Sequence, residues 1–266
     1  MCRDNYLFFH KFFRRGIFFF SFLFFLSWRI PPVHAQEGLS KGRVVYEQYC
    51  VICHGEKGDG QGPVASLFHT KPRNFIKGEY KIKSTPSGSP PLDEDLIRSV
   101  KFGLPGTAMG AHSHLSDEEI RWVIAYTKAF SPRFSQAKPG KPLAIPPAPP
   151  PTAERTSKGR SVYEKSQCAQ CHGQTGKGAG VLAKDLSIKP TDLTRRPFKG
   201  GSTPKDIVRI LLTGIEGTPM SAYQFILADQ DLWDLAYYID SLGGKPQETE
   251  DEKKGGAIVK GLQQSQ

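Results

Sequence analysis

The sequence predicts an all-α protein made of two helical domains in tandem. Three observations carry that expectation. No segment shows the strict apolar–polar alternation of a half-buried strand. Helix-length runs alternate with loops rich in Gly and Pro, which number 27 and 21 in a chain of 266 residues. And the chain repeats itself: Cys50-Val51-Ile52-Cys53-His54 returns 118 positions later as Cys168-Ala169-Gln170-Cys171-His172.

The repeat extends well beyond the two motifs. Gly42 and Tyr46 precede the first copy as Gly159 and Tyr163 precede the second. Gly55, Gly58 and Gly60 match Gly173, Gly176 and Gly178, and Lys71-Pro72 matches Lys189-Pro190. The loop Gly103-Leu104-Pro105-Gly106-Thr107-Ala108-Met109 matches Gly214-Ile215-Glu216-Gly217-Thr218-Pro219-Met220. Trp122 and Tyr126 pair with Trp233 and Tyr237. The offset is 118 at the cysteine motif and 111 from Met109 on, so the first unit carries seven extra residues, expected around Lys81–Pro91.

Within each unit the expected elements run in one order. A short helix from Val44 to Tyr49 leads into the first motif. Asp95–Val100 and Lys205–Leu212 read as a second helix, the latter started by Thr203 as cap and Pro204 in the first turn. Ser116-Asp117-Glu118-Glu119 has the form of a capping box opening the last helix, which runs towards Phe130. Asp229-Gln230-Asp231 does similar work before Leu232–Leu242, and Gly243 stops that helix.

The flanking segments differ in composition. Arg3, Lys11, Arg14 and Arg15 precede an apolar run from Gly16 to Trp28, and Val33-His34-Ala35 places small residues where a signal peptidase reads. Residues 1–35 are therefore expected to be a secretory signal cleaved after Ala35, which places the mature protein in the periplasm or otherwise outside the cytoplasm. An uncleaved anchor is the alternative, although the apolar run is short for a span of about 20 residues. The domains are expected at 36–131 and 154–243. Between them, residues 132–153 read as a semi-rigid proline-rich linker. The tail, 244–266, is expected to be disordered, because it has an acidic cluster and few apolar residues.

Removing residues 1–35, with five Lys/Arg and one Asp, lowers the formal charge from +10 to +6. No compact segment is strongly basic, so nothing supports a nucleic-acid partner. Loose attraction to an acidic protein partner is all this charge provides. Membrane contact is expected only through a partner or an uncleaved signal.

The chemistry is concentrated in the motifs. Cys-x-x-Cys-His is the pattern by which haem is attached through two thioethers, with the adjacent histidine on iron. The spacing puts both sulfurs on one side of a helical turn. Cys50, Cys53, Cys168 and Cys171 are thus expected to bind two covalent haem c groups, one per domain, with His54 and His172 as metal ligands. The second ring nitrogen of each histidine needs an acceptor. The Pro63 carbonyl is a candidate, with Val181 at the corresponding place. An exported chain with four cysteines could instead form disulfides, or zinc sites from the paired Cys-x-x-Cys. The histidine after each pair argues for haem.

The chain beyond residue 35 has only two methionines, Met109 and Met220, at matching places in matching loops. They are expected as the sixth iron ligands, since a packing residue has no reason to recur there. Arg73 is a candidate partner for a haem carboxylate, with Arg195 and Arg196 for the second haem. His112 and His114 follow Met109 where the second unit has Tyr223 and Phe225. They read as loop residues near the haem edge.

With these residues, each unit resembles a class I cytochrome c, and the chain resembles a tandem two-haem member of that family. The resemblance implies two helical domains, each wrapped around one haem. It implies that Gly42 and Tyr46 cross the last helix at Trp122 and Tyr126, and Gly159 and Tyr163 at Trp233 and Tyr237. The expected function is single-electron transfer between redox partner proteins, a donor and an acceptor, without catalysis by the chain itself. The alternatives are an electron-transfer subunit of a larger dehydrogenase or oxidase, and a two-haem enzyme such as a peroxidase.

Overall fold

The structure, a computed structural model, describes residues 33–244 and 248–265; nearly all of the expected export signal lies outside the described residues. Among the described residues every regular element is a helix. The first domain holds α1 (Val33–Tyr49), α2 (Val51–His54), α3 (Asp93–Phe102) and α4 (Asp117–Ala129), followed by the short α5 (Arg133–Gln136). The second repeats the plan with α6 (Ala153–Lys165), α7 (Cys168–His172), α8 (Pro204–Thr213) and α9 (Asp229–Ser241). A last helix, α10, spans Glu250–Gln264.

The caps form where the sequence places them. Ser116 Oγ accepts from Glu119 N–H while the Glu119 carboxylate accepts from Ser116 N–H, so two otherwise orphaned donors are satisfied at the start of α4. Thr203 and Asp206 do the same for α8, with Pro204 in its first turn. Before α9 the expected side-chain cap is missing: the N-cap residue is Ala228. The helix before the first motif is longer than its apolar core, because α1 begins a full eleven residues ahead of Val44.

In each domain the first helix crosses the last, and a glycine sits at the crossing. A Cβ on Gly42 would lie 2.1 Å from the Trp122 carbonyl oxygen, and one on Gly159 would lie 1.9 Å from that of Asp234. Only glycine permits these backbones to approach so closely. Tyr46 and Tyr163, one turn on, are both 1% exposed and anchor the two cores. Tyr46 packs on Tyr126 and Phe130, and Tyr163 on Tyr238.

The crossing in the second domain corrects the sequence alignment by one residue. It falls at Asp234 and Tyr238, not at Trp233 and Tyr237. The loop after Met220 is one residue longer than the loop after Met109, so Leu227 corresponds to Leu115 at an offset of 112. Trp233 and Tyr237 are thereby turned towards the linker: Trp233 Nε1–H donates to the Pro146 carbonyl and Tyr237 O–H to that of Pro149. Residues 138–152 have no regular structure, as a proline-rich segment should not, yet they pack on both domains: Leu143 N–H donates to the Ser84 carbonyl, and Leu143 and Ile145 lie against the second core.

The seven-residue insertion also packs inward. Asp95 accepts hydrogen bonds from Ser84 N–H, Ser84 Oγ–H and Leu92 N–H, closing residues 84–92 onto the start of α3. Lys83, 2% exposed, reaches from this loop to Glu216 of the second domain. Arg133 holds the other Glu216 oxygen at 2.7 Å. The two domains therefore meet at the loop that carries Met220.

The tail is the clearest departure from expectation. Residues 250–264 form α10, opened by a reciprocal Thr249–Glu252 capping box. Low hydrophobicity suggested disorder, but only one face of the helix is apolar. Ile258, Val259 and Leu262 find an apolar surface in the first domain, far away in sequence.

Candidate haem sites

The short helices α2 and α7 each end on the motif histidine and are wrapped by the loop that follows. Gly60 N–H donates to the His54 carbonyl, Gly62 N–H to that of Cys53 and Val64 N–H to that of Ile52. Gly178, Gly180 and Leu182 repeat the set on His172, Cys171 and Gln170. Tyr46 O–H donates to the Gly55 carbonyl and Tyr163 O–H to that of Gly173, both at 2.7 Å, tying the motif to the first helix.

This wrapping decides which carbonyl the histidine meets. His54 Nδ1 lies 3.1 Å from the Arg73 carbonyl oxygen, and His172 Nδ1 lies 2.9 Å from that of Thr191. Both acceptors stand 19 residues after their histidine. The Pro63 and Val181 carbonyls are not the acceptors; the chain returning at Arg73 and Thr191 supplies them instead. The chain returning at Pro72–Arg73 passes under Gly60, and its counterpart at Pro190 passes under Gly178. With Nδ1–H donated to a carbonyl, Nε2 keeps its lone pair for a metal. Burial pushes the His54 pKa down to about 4, which keeps that lone pair free of a proton at neutral pH. Phe75 stacks on the ring, with centroids 4.4 Å apart, and fixes its plane.

Met109 is brought to the same cavity as Cys50, Cys53 and His54. The methionine loop is built alike in both domains. Thr107 Oγ1 accepts from Met109 N–H at 3.1 Å, and Thr218 Oγ1 from Met220 N–H at 3.2 Å. Leu104 N–H donates to the Met109 carbonyl and Ile215 N–H to that of Met220. In the second domain Cys168, Met220 and Tyr223 pack against one apolar cluster with Trp233 and Leu211.

The first cavity suits a flat apolar ring with an acidic edge. Its walls are mainly apolar, from Phe68, Phe75, Leu96, Val100 and Val123. Among the described residues two buried side-chain polar atoms have no partner, the Tyr80 hydroxyl and His112 Nε2, and both residues line this cavity. Arg73, Lys81 and Lys199 line it as well, the last from the second domain. Burial lowers all three from their ordinary pKa values, and repulsion from Arg73 adds to this at Lys199 and at Lys81, which falls to about 8. Three crowded cations beside an apolar slot fit a group carrying carboxylates. The sequence pointed to Arg73 alone; nothing in it tied Lys199 to a cavity across the domain boundary.

Arg196 does not serve the second haem. Its guanidinium is buried, donates to the carbonyls of Leu193 and Ile239, and lies over the Phe198 ring. His112 is 4% exposed, with Nδ1 3.0 Å from the Gly110 carbonyl oxygen, and His114 stands on the surface beside Tyr49.

The four motif cysteines are not joined in disulfides. Burial raises Cys50 to about 12 and also raises Cys53 and Cys168. No cluster of three or more His, Cys, Asp or Glu suited to a metal ion occurs among the described residues.

Tandem helical domains, each with a Cys-x-x-Cys-His helix and a facing methionine loop, define a c-type cytochrome. Comparison with known proteins agrees. The family described as cytochrome C oxidase, cbb3-type, subunit III, matches residues 37–126 and 154–239, and the chain belongs to it. Covalently bound haem c is the cofactor that this family carries.

The chain is similar to the cbb3-type cytochrome c oxidase subunit CcoP of Azospirillum brasilense, 25% identical over 209 residues, which cover 77% of this chain and 62% of the relative. It is also similar to CcoP of Azospirillum sp. (strain B510), 24% identical over 220 residues, with the same coverage. It thus spans less than two thirds of the length of these curated relatives. Among solved structures it resembles a chain of the Kuenenia stuttgartiensis reducing HAO-like protein complex Kustc0457/Kustc0458. That match has 37% identity and a TM-score of 0.75, over 77% of this chain and 96% of the other.

Proposed function

We propose that the protein carries two covalently attached haem c groups and passes single electrons as a subunit, or a tightly docked partner, of a larger redox enzyme. Cys50 and Cys53 hold the first haem and Cys168 and Cys171 the second. His54 and Met109 ligate the first iron, and His172 and Met220 the second. The observation that carries this reading is the duplication of the whole device. In each half an imidazole is oriented by a carbonyl 19 residues on, and a methionine loop is pinned by the threonine two positions before it. When bound, each haem supplies an iron that alternates between ferrous and ferric states, and a thioether ligand favours the ferrous one.

The residues around each iron fix its ligands and exclude water. A carrier role follows, with catalysis left to the partner. The complex-subunit reading is favoured over a free carrier because the named relatives are an oxidase subunit and a member of a protein complex. The basic, apolar amino terminus supports export to the periplasm, and no helix among the described residues is long and apolar enough to cross a membrane.

A spectroscopic redox titration of the mature holoprotein tests this. Two one-electron transitions are expected, each with the weak ferric iron–thioether absorption. Met109→Ala and Met220→Ala should each remove that absorption from one haem only. A colourless protein, a single haem, or rapid peroxide turnover by the isolated chain would overturn the reading.

A further inference from the structure

We propose that α10 is an intramolecular cap on the first haem, so that electrons are exchanged with partner proteins at the second domain. The inference rests on the haem assignment above and goes beyond it by distinguishing the two centres.

The helix is attached to both walls of the first cavity. On the histidine side, the Asp251 carboxylate accepts from His69 N–H at 3.3 Å and Thr70 N–H at 2.9 Å. On the methionine side, the Glu252 carboxylate accepts from Gly106 N–H at 2.6 Å. Gly255 rests on the backbone just before Met109: a Cβ there would lie 2.0 Å from the Ala108 carbonyl oxygen. Further along, Val259 packs on Gly110, and Gln263 Nε2 lies 2.7 Å from His114 Nδ1. Ile258, Val259 and Leu262 line the cavity between these fixings. A helix held to both walls, with its apolar face between them, lies across the mouth.

The internal repeat supplies the control. Counting along the repeat, Thr70 corresponds to Ile188, and His114, counted from the methionine, to Phe225. Both counterparts are open, Ile188 at 40% and Phe225 at 95% exposure, and Ile226 beside Phe225 is exposed too. The same face is therefore closed by the chain's own tail in one domain and left as apolar surface in the other. Apolar cover over a haem edge removes the contact that a partner or a small oxidant needs, and it disfavours the more highly charged ferric state.

Two glycines of α10 provide a matched test in the full-length holoprotein. Gly255→Val inserts a side chain against the Ala108 backbone. Gly256→Val makes the same change in helix propensity at a position with nothing within 4 Å. The probe is hexacyanoferrate(III), which takes one electron from each ferrous haem and becomes hexacyanoferrate(II) as the iron becomes ferric. Met220→Ala marks the second haem by the loss of its thioether band.

Wild type should oxidise in two phases, with the first haem slow. Gly255→Val should speed the slow phase by about tenfold or more, and Gly256→Val should leave it unchanged. Asp251→Ala, which loses both bonds to the histidine-side wall without adding bulk, should move the slow phase in the same direction. Equal behaviour of the two valine variants, or fast oxidation of both haems in wild type, overturns the cap while leaving the two-haem assignment in place. A mature chain without haem overturns that assignment and the cap with it.

Discussion

The two halves share a haem-binding plan but steady their methionine loops from opposite directions. In the first, Gly106 N–H is held by Glu252 of α10, above the cavity. In the second, the adjacent position in the repeat is Glu216, held from the side by Lys83 and Arg133 of the first domain. Each loop is thus braced by residues from the other half of the chain. Duplication produced two similar sites, and the parts that were not duplicated (the insertion, the linker and the tail) make them unequal. The first cavity is lined by Arg73, Lys81 and Lys199 and by α10, whereas Ile188 and Phe225 of the second domain are exposed.

The largest effect should come from removing one attachment site at a time. Cys50→Ser with Cys53→Ser, or Cys168→Ser with Cys171→Ser, should each lower the covalent mass of the mature chain by one haem. If the halves are as interdependent as the shared bracing implies, loss of the first haem should also lower the thermal stability of the second domain. Mass spectrometry together with a melting curve followed in the remaining haem band checks both. Retention of two haems by either variant would refute the attachment.

Next in size is the bracing itself. Glu216→Ala leaves Lys83 buried, at 1% side-chain exposure, with its charge unpaired. Breaking such a buried pair costs on the order of 3–5 kcal/mol. In denaturant, the Met220 thioether band should be lost ahead of the Met109 band. Replacing the pair, with Lys83→Met and Glu216→Leu, should recover much of the stability. Similar loss in the single and double variants would show that the charges matter for more than each other.

Much of this was legible in the sequence, for reasons that can be stated. The motifs, the methionines and the crossing glycines are strong signals because each position tolerates few residue types. Gly42 and Gly159 have another backbone within van der Waals distance, and Tyr46 and Tyr163 must reach a fixed carbonyl. What failed depended on counting or on distant partners. A one-residue insertion after Met220 moved the second crossing from Trp233 to Asp234, and Trp233 turned out to hold the linker. The sequence offers an acceptor for the motif histidine nine residues on, at Pro63. The acceptor itself lies 19 residues on, at Arg73, where the chain returns under Gly60. The tail was judged by mean composition. Its one apolar face, Ile258, Val259 and Leu262, acquires meaning only against a surface that lies some 150 residues earlier in the sequence.

A smaller and more selective effect should sharpen the comparison between sites. Lys199 belongs to the second domain in sequence but lines the first cavity, with Arg73 and Lys81. Lys199→Ala removes a positive charge from the carboxylate edge of the first haem. The oxidised iron carries the extra positive charge, so losing the cation stabilises it, and the first haem's potential should fall. The second haem should not move. A redox titration separates the outcomes: a shift of the second haem instead would assign Lys199 to that site.

The smallest effect concerns the linker, and it tests whether the second domain's open face is a property of that domain or of how the linker is held. Trp233 and Tyr237 clamp Pro146 and Pro149, so the linker is fixed along α9. Tyr237→Phe removes one hydroxyl donor and leaves the ring in place. A single half-buried hydrogen bond contributes about 1 kcal/mol, which should appear as a modest drop in unfolding midpoint. Cleavage of the linker by a protease should become faster by a few-fold, in proportion to the larger released population. The fast oxidation phase assigned to the second haem should not change, because the released segment does not cover its edge. Slower oxidation in Tyr237→Phe would mean that a freed linker can fall across that edge, and the contrast between a capped centre and an open one would then depend on this clamp.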